Sequence, residues 1–344
     1  MGLKNRIKRF AIQGGLEAVA LTRAWNAWPA AGGRGVLFTL HHVRPAETKT
    51  YDPNALLSVT PQFLDEAILA ALDSGLVPVA LEDLPALLAD PSDKRRFISF
   101  TLDDGYRDNA DHAAPVFRRH GVSYTIFITK GFVERTRSLW WETAEELITK
   151  APTMRFDFGD GVETIAMETP AGKTAAFERI STFIQTGDED ARIAALDAAA
   201  RAQGIEPLAI TDRLVMDAGE LSALAKDPLA RFGAHTLTHV ALARVDGARL
   251  REEISGSADA VESYVGKRPT TFAYPYGFPA AVGEREFEVL KALGFRVGVT
   301  TQPGVLGPWS VERPTAIARV SLNGLYQKKR YVKALISGIP FRLM

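Results

Sequence analysis

Short apolar runs rich in β-branched and aromatic residues alternate along the chain with stretches that have the periodicity of amphipathic helices. The runs that predict strands are 35–40, 97–102, 123–128, 230–234, 271–274, 295–299 and 317–322. The stretches that predict helices are 60–74, 109–120, 218–225, 247–265, 283–293 and 325–336. A repeated strand–helix order predicts an α/β fold with a mostly parallel sheet, either open or closed into a barrel.

One segment, from residue 135 to about residue 215, breaks this alternation. It has the pattern of a β-hairpin over 155–169, followed by helical patterns over 173–185 and 189–202. We expect this segment to be an inserted α+β cap rather than an independent domain. The chain then divides into a basic helical segment over 1–34 and an α/β domain over 35–344 that carries the cap.

The composition limits the chemistry that the chain can carry. Its 344 residues include 41 basic and 41 acidic side chains, six histidines and no cysteine. Disulfides, thiolate metal sites and cysteine nucleophiles are therefore excluded, and a metal ion would have to be held by carboxylates and histidines. The formal net charge of zero argues against a chain that binds nucleic acid over a large surface, so we expect no nucleic-acid partner.

Basic residues are concentrated at the two ends of the chain. The first 35 residues hold one acid, Glu17, and the basic residues Lys4, Arg6, Lys8, Arg9, Arg23 and Arg34. The last 21 residues hold no acid and the basic residues Lys328, Lys329, Arg330, Lys333 and Arg342. A basic helix packed on the protein surface explains the N-terminal pattern. Contact of both ends with an anionic membrane surface is the alternative.

The apolar stretch near the N-terminus does not have the pattern of a secretory signal. It is interrupted by Gln13, Gly14 and Glu17. No stretch of the sequence approaches the ~20 apolar residues that a membrane span needs. We therefore expect a cytoplasmic protein, with peripheral membrane association as the alternative.

Chemically distinctive residues follow four of the predicted strands at their C-terminal ends. They are His41 and His42, Asp103 and Asp104, His235 and His239, and the segment Tyr274-Pro275-Tyr276-Gly277. In α/β barrels this is the end where side chains from different strands converge on a substrate. Four such clusters together predict a single site.

The residue types in these clusters suit metal-assisted hydrolysis. Two histidines four positions apart can face one ion, and an aspartate adds an oxygen ligand, which leaves a coordination position open for water. Such an ion lowers the pKa of water from ~15.7 to ~7. One of Asp103 and Asp104 can ligate the ion while the other takes a proton, and His41 can protonate a leaving group. Glycine and proline around Tyr276 suit a turn whose backbone N–H faces a developing oxyanion, so we expect an amide or ester substrate.

Three motifs resemble those of one enzyme family. Residues 100–105 (FTLDDG) resemble the first motif of the polysaccharide deacetylases, also known as the NodB-homology family or carbohydrate esterase family 4. Residues 235–239 (HTLTH) are similar to the H-[ST]-x-x-H motif of that family, and residues 272–277 (FAYPYG) are similar to its third motif. The resemblance runs from about residue 36 to residue 322 and is interrupted by the inserted segment.

The resemblance implies a distorted (β/α) barrel of seven or eight strands that removes N-acetyl or O-acetyl groups from sugars with a divalent metal ion. By position in the motifs, Asp103 is the implied base, and Tyr276 offers its backbone N–H to the oxyanion. The implied metal ligands are Asp104, His235 and His239. Zinc is the ion that we expect, with cobalt or nickel as alternatives for the same nitrogen and oxygen ligands. The implied partner is an N-acetylated glycan, such as an exopolysaccharide.

Two positions depart from the family pattern. The third motif has Ala273 where the family has an arginine that pairs with the base, and no histidine follows His239 to act as the C-terminal acid. The biofilm poly-N-acetylglucosamine deacetylases form a branch with a permuted motif order, in which this histidine comes from an N-terminal strand. Residues 36–43 resemble that strand, so His41 is the implied acid. Arg319, at another strand-like run, is the candidate for the missing arginine, and both departures point to the permuted branch.

Other interpretations of these residues stay open. The two aspartates can cap a helix and the two ligand histidines can be packing residues, although their combination favours a metal site. His42 is expected to be structural or to support the site, and it can exchange roles with His41. Two other functions are a non-catalytic carbohydrate-binding relative, which Ala273 favours, and a metal hydrolase of a non-sugar amide. Polysaccharide, peptidoglycan, a lipid-linked sugar and a small oligosaccharide are all open as substrates.

Overall fold

The computed structural model describes residues 3–342, with side chains from residue 9 onwards. Its strands are β1 Gly35–Leu40, β2 His42–Val43, β3 Ser58–Val59, β4 Leu76–Pro78, β5 Arg96–Leu102, β6 Tyr124–Ile128, β7 Thr153–Asp157, β8 Val162–Ala166, β9 Ala230–Ala234, β10 Thr271–Ala273, β11 Val297–Val299 and β12 Val320–Ser321. Its α-helices are α1 Leu3–Thr22, α2 Pro61–Asp73, α3 Leu84–Ala89, α4 Ala114–His120, α5 Lys130–Val133, α6 Trp140–Lys150, α7 Pro170–Gln185, α8 Glu189–Arg201, α9 Pro207–Leu214, α10 Ala218–Leu224, α11 Gly247–Val265, α12 Glu284–Ala292, α13 Pro308–Glu312 and α14 Lys329–Ile336.

A parallel sheet of eight strands forms the centre of the molecule. Seven strands follow one another in the order β11-β10-β9-β6-β5-β1-β12, and β4 pairs with the first residues of β5. The sheet curls so that its edges approach each other. Val299 in β11, at one edge, forms a parallel bridge with Ile317, three residues before β12 begins at the other edge. The predicted fold class is confirmed, since the curled half-barrel is consistent with a distorted (β/α) barrel.

Strands β1 and β5 are neighbours in the middle of this sheet. They pair in parallel register over six residues, starting with Gly35 opposite Phe97. This start requires a glycine, because the φ of Gly35 is 120° and a Cβ atom there would lie 1.9 Å from the carbonyl oxygen of Phe97. Since the paired stretches end at the same level, the residues that follow them, His41 and Asp103, leave the sheet side by side.

Most predicted elements are present with bounds that differ by a few residues, and the differences have structural reasons. The sequence pattern does not predict β4, which has three residues and ends in Pro78. The last predicted strand is shorter than expected, because Ile317 pairs with β11 and only Val320 and Ser321 form the strand beside β1. The last long helix begins at Lys329 rather than at residue 325, since a 3₁₀ turn precedes it.

Residues 135–215, which we call the cap, pack around an apolar cluster that also includes Tyr106 and Phe132 from outside the cap. Buried residues of this cluster include Leu147, Phe156, Ile180 and Leu196. The cap contains α6 to α9 and an antiparallel hairpin of β7 and β8. The hairpin begins two residues before the predicted range and ends three residues before its end. The division of the chain into an N-terminal segment, a barrel and a cap stays a prediction.

Helix α1 lies beside α14, so the two ends of the described chain meet. They share an apolar cluster that includes Leu16 and Tyr331. Two 3₁₀ turns connect α1 to β1. The side chains of Lys4, Arg6 and Lys8 lie outside the described residues. Within the described part of the chain, no helix combines the length and the apolar character that crossing a membrane requires.

Candidate metal centre and active site

The residue clusters predicted at strand ends meet at one end of the curled sheet. His41 follows β1, Asp103 and Asp104 follow β5, His235 follows β9, and Tyr276 lies in the turn after β10. All five residues line one cleft with a volume of about 440 Å³. The cap contributes to the cleft wall the residues Trp140, Trp141, Phe177, Ser181 and Gln185. The structure therefore brings the predicted residues together beneath the cap.

Asp104, His235 and His239 each direct one ligand atom to a common point. These atoms lie within 4.8 Å of one another. Oδ1 of Asp104 is 3.6 Å from Nε2 of His235 and 3.4 Å from Nε2 of His239, and all three side chains are buried. One carboxylate oxygen and two imidazole nitrogens are a ligand set for a divalent ion that keeps open coordination positions.

Hydrogen bonding around these three residues leaves the ligand atoms available to an ion. Oδ1 of Asp104 is buried and has no hydrogen-bond partner among the described residues, which is unfavourable unless a cation or a water molecule satisfies it. Nδ1 of His235 lies 2.7 Å from the carbonyl oxygen of Ala273. Nδ1 therefore carries the proton and donates a hydrogen bond to the carbonyl oxygen, and Nε2 offers its lone pair. These residues fit a divalent metal ion.

Burial sets the protonation preferences of the same residues. Burial, followed by the charge of Asp103, raises the pKa of Asp104 well above its usual range. Burial lowers the pKa of His235, and burial together with the neighbouring His235 lowers the pKa of His239 well below its usual range. Both histidines are neutral as a result, which is the form that ligates metals, and Asp104 is the carboxyl group that gains most from a nearby cation.

The backbone at the site adopts conformations that residues with side chains rarely take. Asp104, Thr236, His239 and Tyr276 have φ values of 72°, 68°, 57° and 61°. Oγ1 of Thr236 donates to the carbonyl oxygen of His235 and accepts the N–H of His239 at 2.8 Å, which holds this turn. A left-handed conformation costs about 1–3 kcal/mol at such a residue. Three of the four, Asp104, His239 and Tyr276, line the cleft, which makes the cleft the candidate functional site.

Asp103 forms a bidentate ion pair with Arg319. Nη1 and Nη2 of the arginine lie 2.7 and 2.8 Å from the two carboxylate oxygens, and both residues are buried. Nε of Arg319 donates to the carbonyl oxygen of Thr300 at 2.9 Å, which fixes the guanidinium. Burial raises the pKa of Asp103, but the charge and hydrogen bonds of Arg319, together with His235 and His41, outweigh it and hold the pKa well below its usual range. Arg319 thus makes the contact that Ala273 cannot make.

The adjacent residues His41 and His42 have different surroundings. His41 lines the cleft, and burial lowers the pKa of His41 to about 4. His42 is fully buried, with Nδ1 2.5 Å from Oδ2 of Asp108 and Nε2 3.6 Å from Oε1 of Glu142. Burial opposes protonation of His42, but its contacts with Asp108 and Glu142 together raise the pKa of His42. The two acids thus favour the protonated form of the buried His42, whereas His41 faces the space where a substrate would lie.

Tyr276 is held by hydrogen bonds from the cap and from the barrel. Its hydroxyl accepts the Nε1–H of Trp140 at 3.0 Å and donates to Oε2 of Glu189 at 3.1 Å. Its carbonyl oxygen accepts the hydroxyl of Thr301 at 2.6 Å. Since Trp140 and Glu189 both belong to the cap, the cap fixes the turn that presents the backbone N–H of Tyr276.

Three acidic residues of this region do not emerge from sequence reasoning. Asp108 and Glu142 flank His42, and Glu189 binds the hydroxyl of Tyr276. Asp108 lies three positions after the end of the first motif, which is the one sequence signal that points to it. Glu142 and Glu189 belong to the cap, and no local pattern reports how the cap lies over the barrel.

The chain matches a model of one protein family over much of its length. The model is described as polysaccharide deacetylase, and it matches residues 90–154 and 194–298. The chain belongs to the polysaccharide deacetylase family. The matched segments contain all three motifs that carry the sequence resemblance. Residues 155–193, which lie between the matched segments, fall within the cap.

Several solved structures of deacetylases are similar in fold to this family member. The Streptococcus pyogenes deacetylase PplD, in complex with acetate, is 14% identical and has a TM-score of 0.54, covering 84% of this chain and 93% of that chain. IcaB from Ammonifex degensii is 15% identical with a TM-score of 0.51, covering 87% and 96%. A de-N-acetylase from Aggregatibacter actinomycetemcomitans is 11% identical with a TM-score of 0.52, covering 87% and 98%. A search of curated protein sequences found no significant match.

Proposed function

We propose that this polysaccharide deacetylase family member is a metal-dependent enzyme that removes N-acetyl groups from sugars by hydrolysis. The observation that carries the proposal is the contrast between two adjacent carboxylates. Arg319 keeps Asp103 ionised and able to accept a proton, whereas the unpartnered oxygen of Asp104 faces two neutral histidines and needs a cation. A base beside an ion site is what hydrolysis of an acetyl amide requires.

Asp104, His235 and His239 would hold the ion. When bound, a divalent ion supplies positive charge that activates water and polarises the acetyl carbonyl. Zinc suits two imidazoles and one carboxylate, and cobalt and nickel are the alternatives. The hydrogen bond from His235 to the carbonyl oxygen of Ala273 supports the proposal, because it fixes the orientation in which this histidine presents Nε2.

Residues of the chain itself carry the proton transfers in this proposal. Asp103 accepts a proton from the attacking water, and Arg319 holds the carboxylate in place. The backbone N–H of Tyr276 donates a hydrogen bond to the acetyl oxygen as it becomes negative. His41 donates a proton to the departing amine. Negative charge developing on the substrate favours the protonated form of His41 and offsets the low pKa of about 4 that burial gives it.

The lining of the cleft supports a sugar substrate. Apolar and aromatic lining residues are Leu56, Leu57, Trp140, Trp141, Phe177 and Phe278. Such side chains pack against the apolar faces of a ring, while the polar groups at the strand ends fix its orientation. An exopolysaccharide of the poly-N-acetylglucosamine type is the first candidate, because His41 precedes the first motif as in the permuted branch. One of the solved structures with a similar fold is described as a de-N-acetylase, which supports an N-acetyl group as the target.

The ion pair between Asp103 and Arg319 weakens the case for a non-catalytic, carbohydrate-binding relative. That interpretation depends on Ala273, which leaves a base without its usual arginine. Arg319 makes a bidentate contact to Asp103 from a different part of the sheet. A binding protein has no need for a buried, ionised carboxylate beside a set of metal ligands.

Acetate release from a panel of acetylated glycans tests the proposal, with zinc, cobalt or nickel added to chelator-treated protein. We expect acetate from at least one N-acetylated glycan and none from the metal-free protein. Asp103→Asn should keep the metal and lose turnover, whereas His235→Ala should lose both. His112→Ala is the control, because His112 lies outside the cleft lining. Equal metal content and equal activity in the Asp103 and His235 variants would overturn the assignment, and metal binding without acetate from any sugar would overturn the substrate class.

A further inference from the structure

The structure brings the two basic ends of the chain together. Helices α1 and α14 run side by side in the same direction, since the carbonyl oxygen of Arg9 accepts the Tyr326 hydroxyl at 3.5 Å and Glu17 pairs with Arg330 at 2.8 Å. An apolar cluster joins the two helices. Basic residues from opposite ends of the chain therefore contribute to one surface.

A cleft of about 650 Å³ opens at the C-terminal ends of these two helices. Its cationic lining residues are Arg23, Arg96, Arg330 and Lys333. Among the described residues that line it, Asp73 is the one acid. Nη2 of Arg96 donates to the carbonyl oxygen of Ile336, but its Nε is buried and has no partner within the described structure. A concave surface with this excess of positive charge attracts anions.

Two large apolar side chains are exposed beside this cleft. Leu21 is 72% exposed and Trp28 is 47% exposed. Leu21 directly follows Ala20, and Trp28 directly precedes Pro29, and both of these neighbours line the cleft. Exposed tryptophan and leucine next to clustered cations are typical of protein surfaces that enter the headgroup region of a bilayer.

We propose that this surface docks on an anionic phospholipid bilayer, with Leu21 and Trp28 entering the headgroup region and the cleft binding a lipid phosphate. Charge complementarity selects this partner, because the cations of the cleft attract anionic headgroups. A second copy of the chain would bring the same positive charge to the contact. The basic chain ends leave membrane contact as an alternative. The cleft with Leu21 and Trp28 is the surface that would make this contact.

The docking surface lies at the end of the sheet opposite the catalytic cleft. Arg96 is the first residue of β5, whereas Asp103 directly follows the last residue of the same strand. A strand of this length places them roughly 20 Å apart. Lipid contact therefore leaves the catalytic cleft open, and the proposal does not depend on the deacetylase function.

Sedimentation of the full-length protein with lipid vesicles tests the proposal. We expect binding to vesicles of phosphatidylcholine mixed with phosphatidylglycerol, none to phosphatidylcholine alone, and weaker binding as salt is raised. Leu21→Ser/Trp28→Ser should bind at least about tenfold more weakly. Val162→Ser/Trp309→Ser is the matched control, because it removes two side chains that are 60% and 56% exposed elsewhere on the surface. The control should bind as the native protein does.

Each other outcome has a defined meaning. Absence of binding to the anionic vesicles, or equal binding by the two double variants, would overturn the proposal. A dimer in light scattering that dissociates only in Leu21→Ser/Trp28→Ser, without vesicle binding, would assign the surface to a second copy and overturn it too. Binding of inorganic phosphate without any preference between the two kinds of vesicle would also overturn the proposal and would indicate that the cleft binds a soluble anion. Asp103→Asn should bind vesicles normally, so failure of the proposed enzyme activity and failure of lipid docking are distinguishable.

Discussion

Asp103 and Arg319, 216 positions apart in the chain, share two hydrogen bonds of 2.7 and 2.8 Å within the buried part of the site. This pair makes two adjacent aspartates chemically different. The charge and hydrogen bonds of Arg319, with His235 and His41, together outweigh burial and hold the pKa of Asp103 low, whereas burial raises the pKa of Asp104. Asp104 is thus left as the carboxyl group that needs a cation from outside the chain.

Replacing Arg319 tests this relationship. Lysine has a single ammonium group in place of a planar fork, so Arg319→Lys should lose the orientation of Asp103 and lower kcat at least about a hundredfold, with metal content unchanged. Arg319→Met leaves Asp103 buried without a partner and should lower the free energy of unfolding by about 3–5 kcal/mol. Steady-state kinetics, metal analysis and urea unfolding measure these effects.

An exposed ion pair supplies the control for the Arg319 variants. Arg268 pairs with Asp259 and Glu262 on the surface, where such pairs contribute roughly 0–1 kcal/mol. Arg268→Lys should therefore change neither kcat nor the free energy of unfolding appreciably. A native kcat in Arg319→Lys would show that Asp103 does not depend on the bidentate contact.

The adjacent histidines should separate catalysis from stability. His41→Ala should abolish turnover and change the free energy of unfolding by less than about 1 kcal/mol, since His41 faces the cleft. His42→Ala leaves Asp108 and Glu142 without this buried partner and should lower the free energy of unfolding by about 3–5 kcal/mol. Turnover of the folded His42 variant, measured below its unfolding transition, should exceed that of His41→Ala. The reverse ranking of turnover would exchange their roles.

Tyr276→Phe separates a main-chain role of this residue from a side-chain role. The variant keeps the backbone N–H and removes the hydroxyl between Trp140 and Glu189, so the free energy of unfolding should fall by about 1–3 kcal/mol and kcat should stay within about tenfold of native. Tyr264→Phe removes an exposed hydroxyl that binds Glu134 and should have a smaller effect on stability. If Tyr276→Phe is stable but inactive, the hydroxyl rather than the N–H acts in catalysis.

The stability of the metal-free protein should depend on pH through His41. Burial lowers the pKa of His41 from 6.5 to about 4, so the unfolded chain binds this proton more readily than the folded protein between those pH values. The contribution of His41 to the free energy of unfolding should therefore rise from pH 4 to pH 6.5 and level off above. His41→Asn should show a smaller rise than the native protein in urea unfolding with a chelator present. Identical pH dependence would contradict the burial of a neutral His41.

Local sequence patterns suffice where neighbours along the chain determine the structure. Helix α11 has its predicted bounds, because the side chain of Asp246 accepts the N–H of Arg249 at its start and Gly266 ends it in a left-handed conformation. The aspartates and the ligand histidines could be grouped for a similar reason. Each follows a recognisable strand, and parallel strands end on one side of a sheet.

Buried charge explains why the first helix of the cap escapes prediction. Glu142 and Glu145 in α6 are buried, although acids at core-facing positions interrupt the apolar period that predicts a helix. Glu142 lies beside His42, and Glu145 binds Lys49 and Asn54. These partners are distant in sequence, so the sequence pattern around α6 does not show that they compensate the buried charge.

Contacts across the sheet set the other limit of sequence reasoning. The sequence makes Arg319 no more than a candidate, because its pairing with Asp103 depends on how the chain passes from Ile317 to β12. The same passage explains why the last strand is short. The pairing register between strands that are distant in sequence depends on the whole sheet, and a local sequence pattern does not predict it.

The position of β12 beside β1 has a consequence for how the protein is made. During synthesis, His41 and Asp103 emerge from the ribosome long before Arg319. The nascent chain therefore carries the Asp103 carboxylate without the arginine that pairs with it. The barrel edge and the ion pair are completed together when the late strand arrives. A chain terminated before this point would lack both, and full-length synthesis is therefore a condition for burying the base as an ion pair.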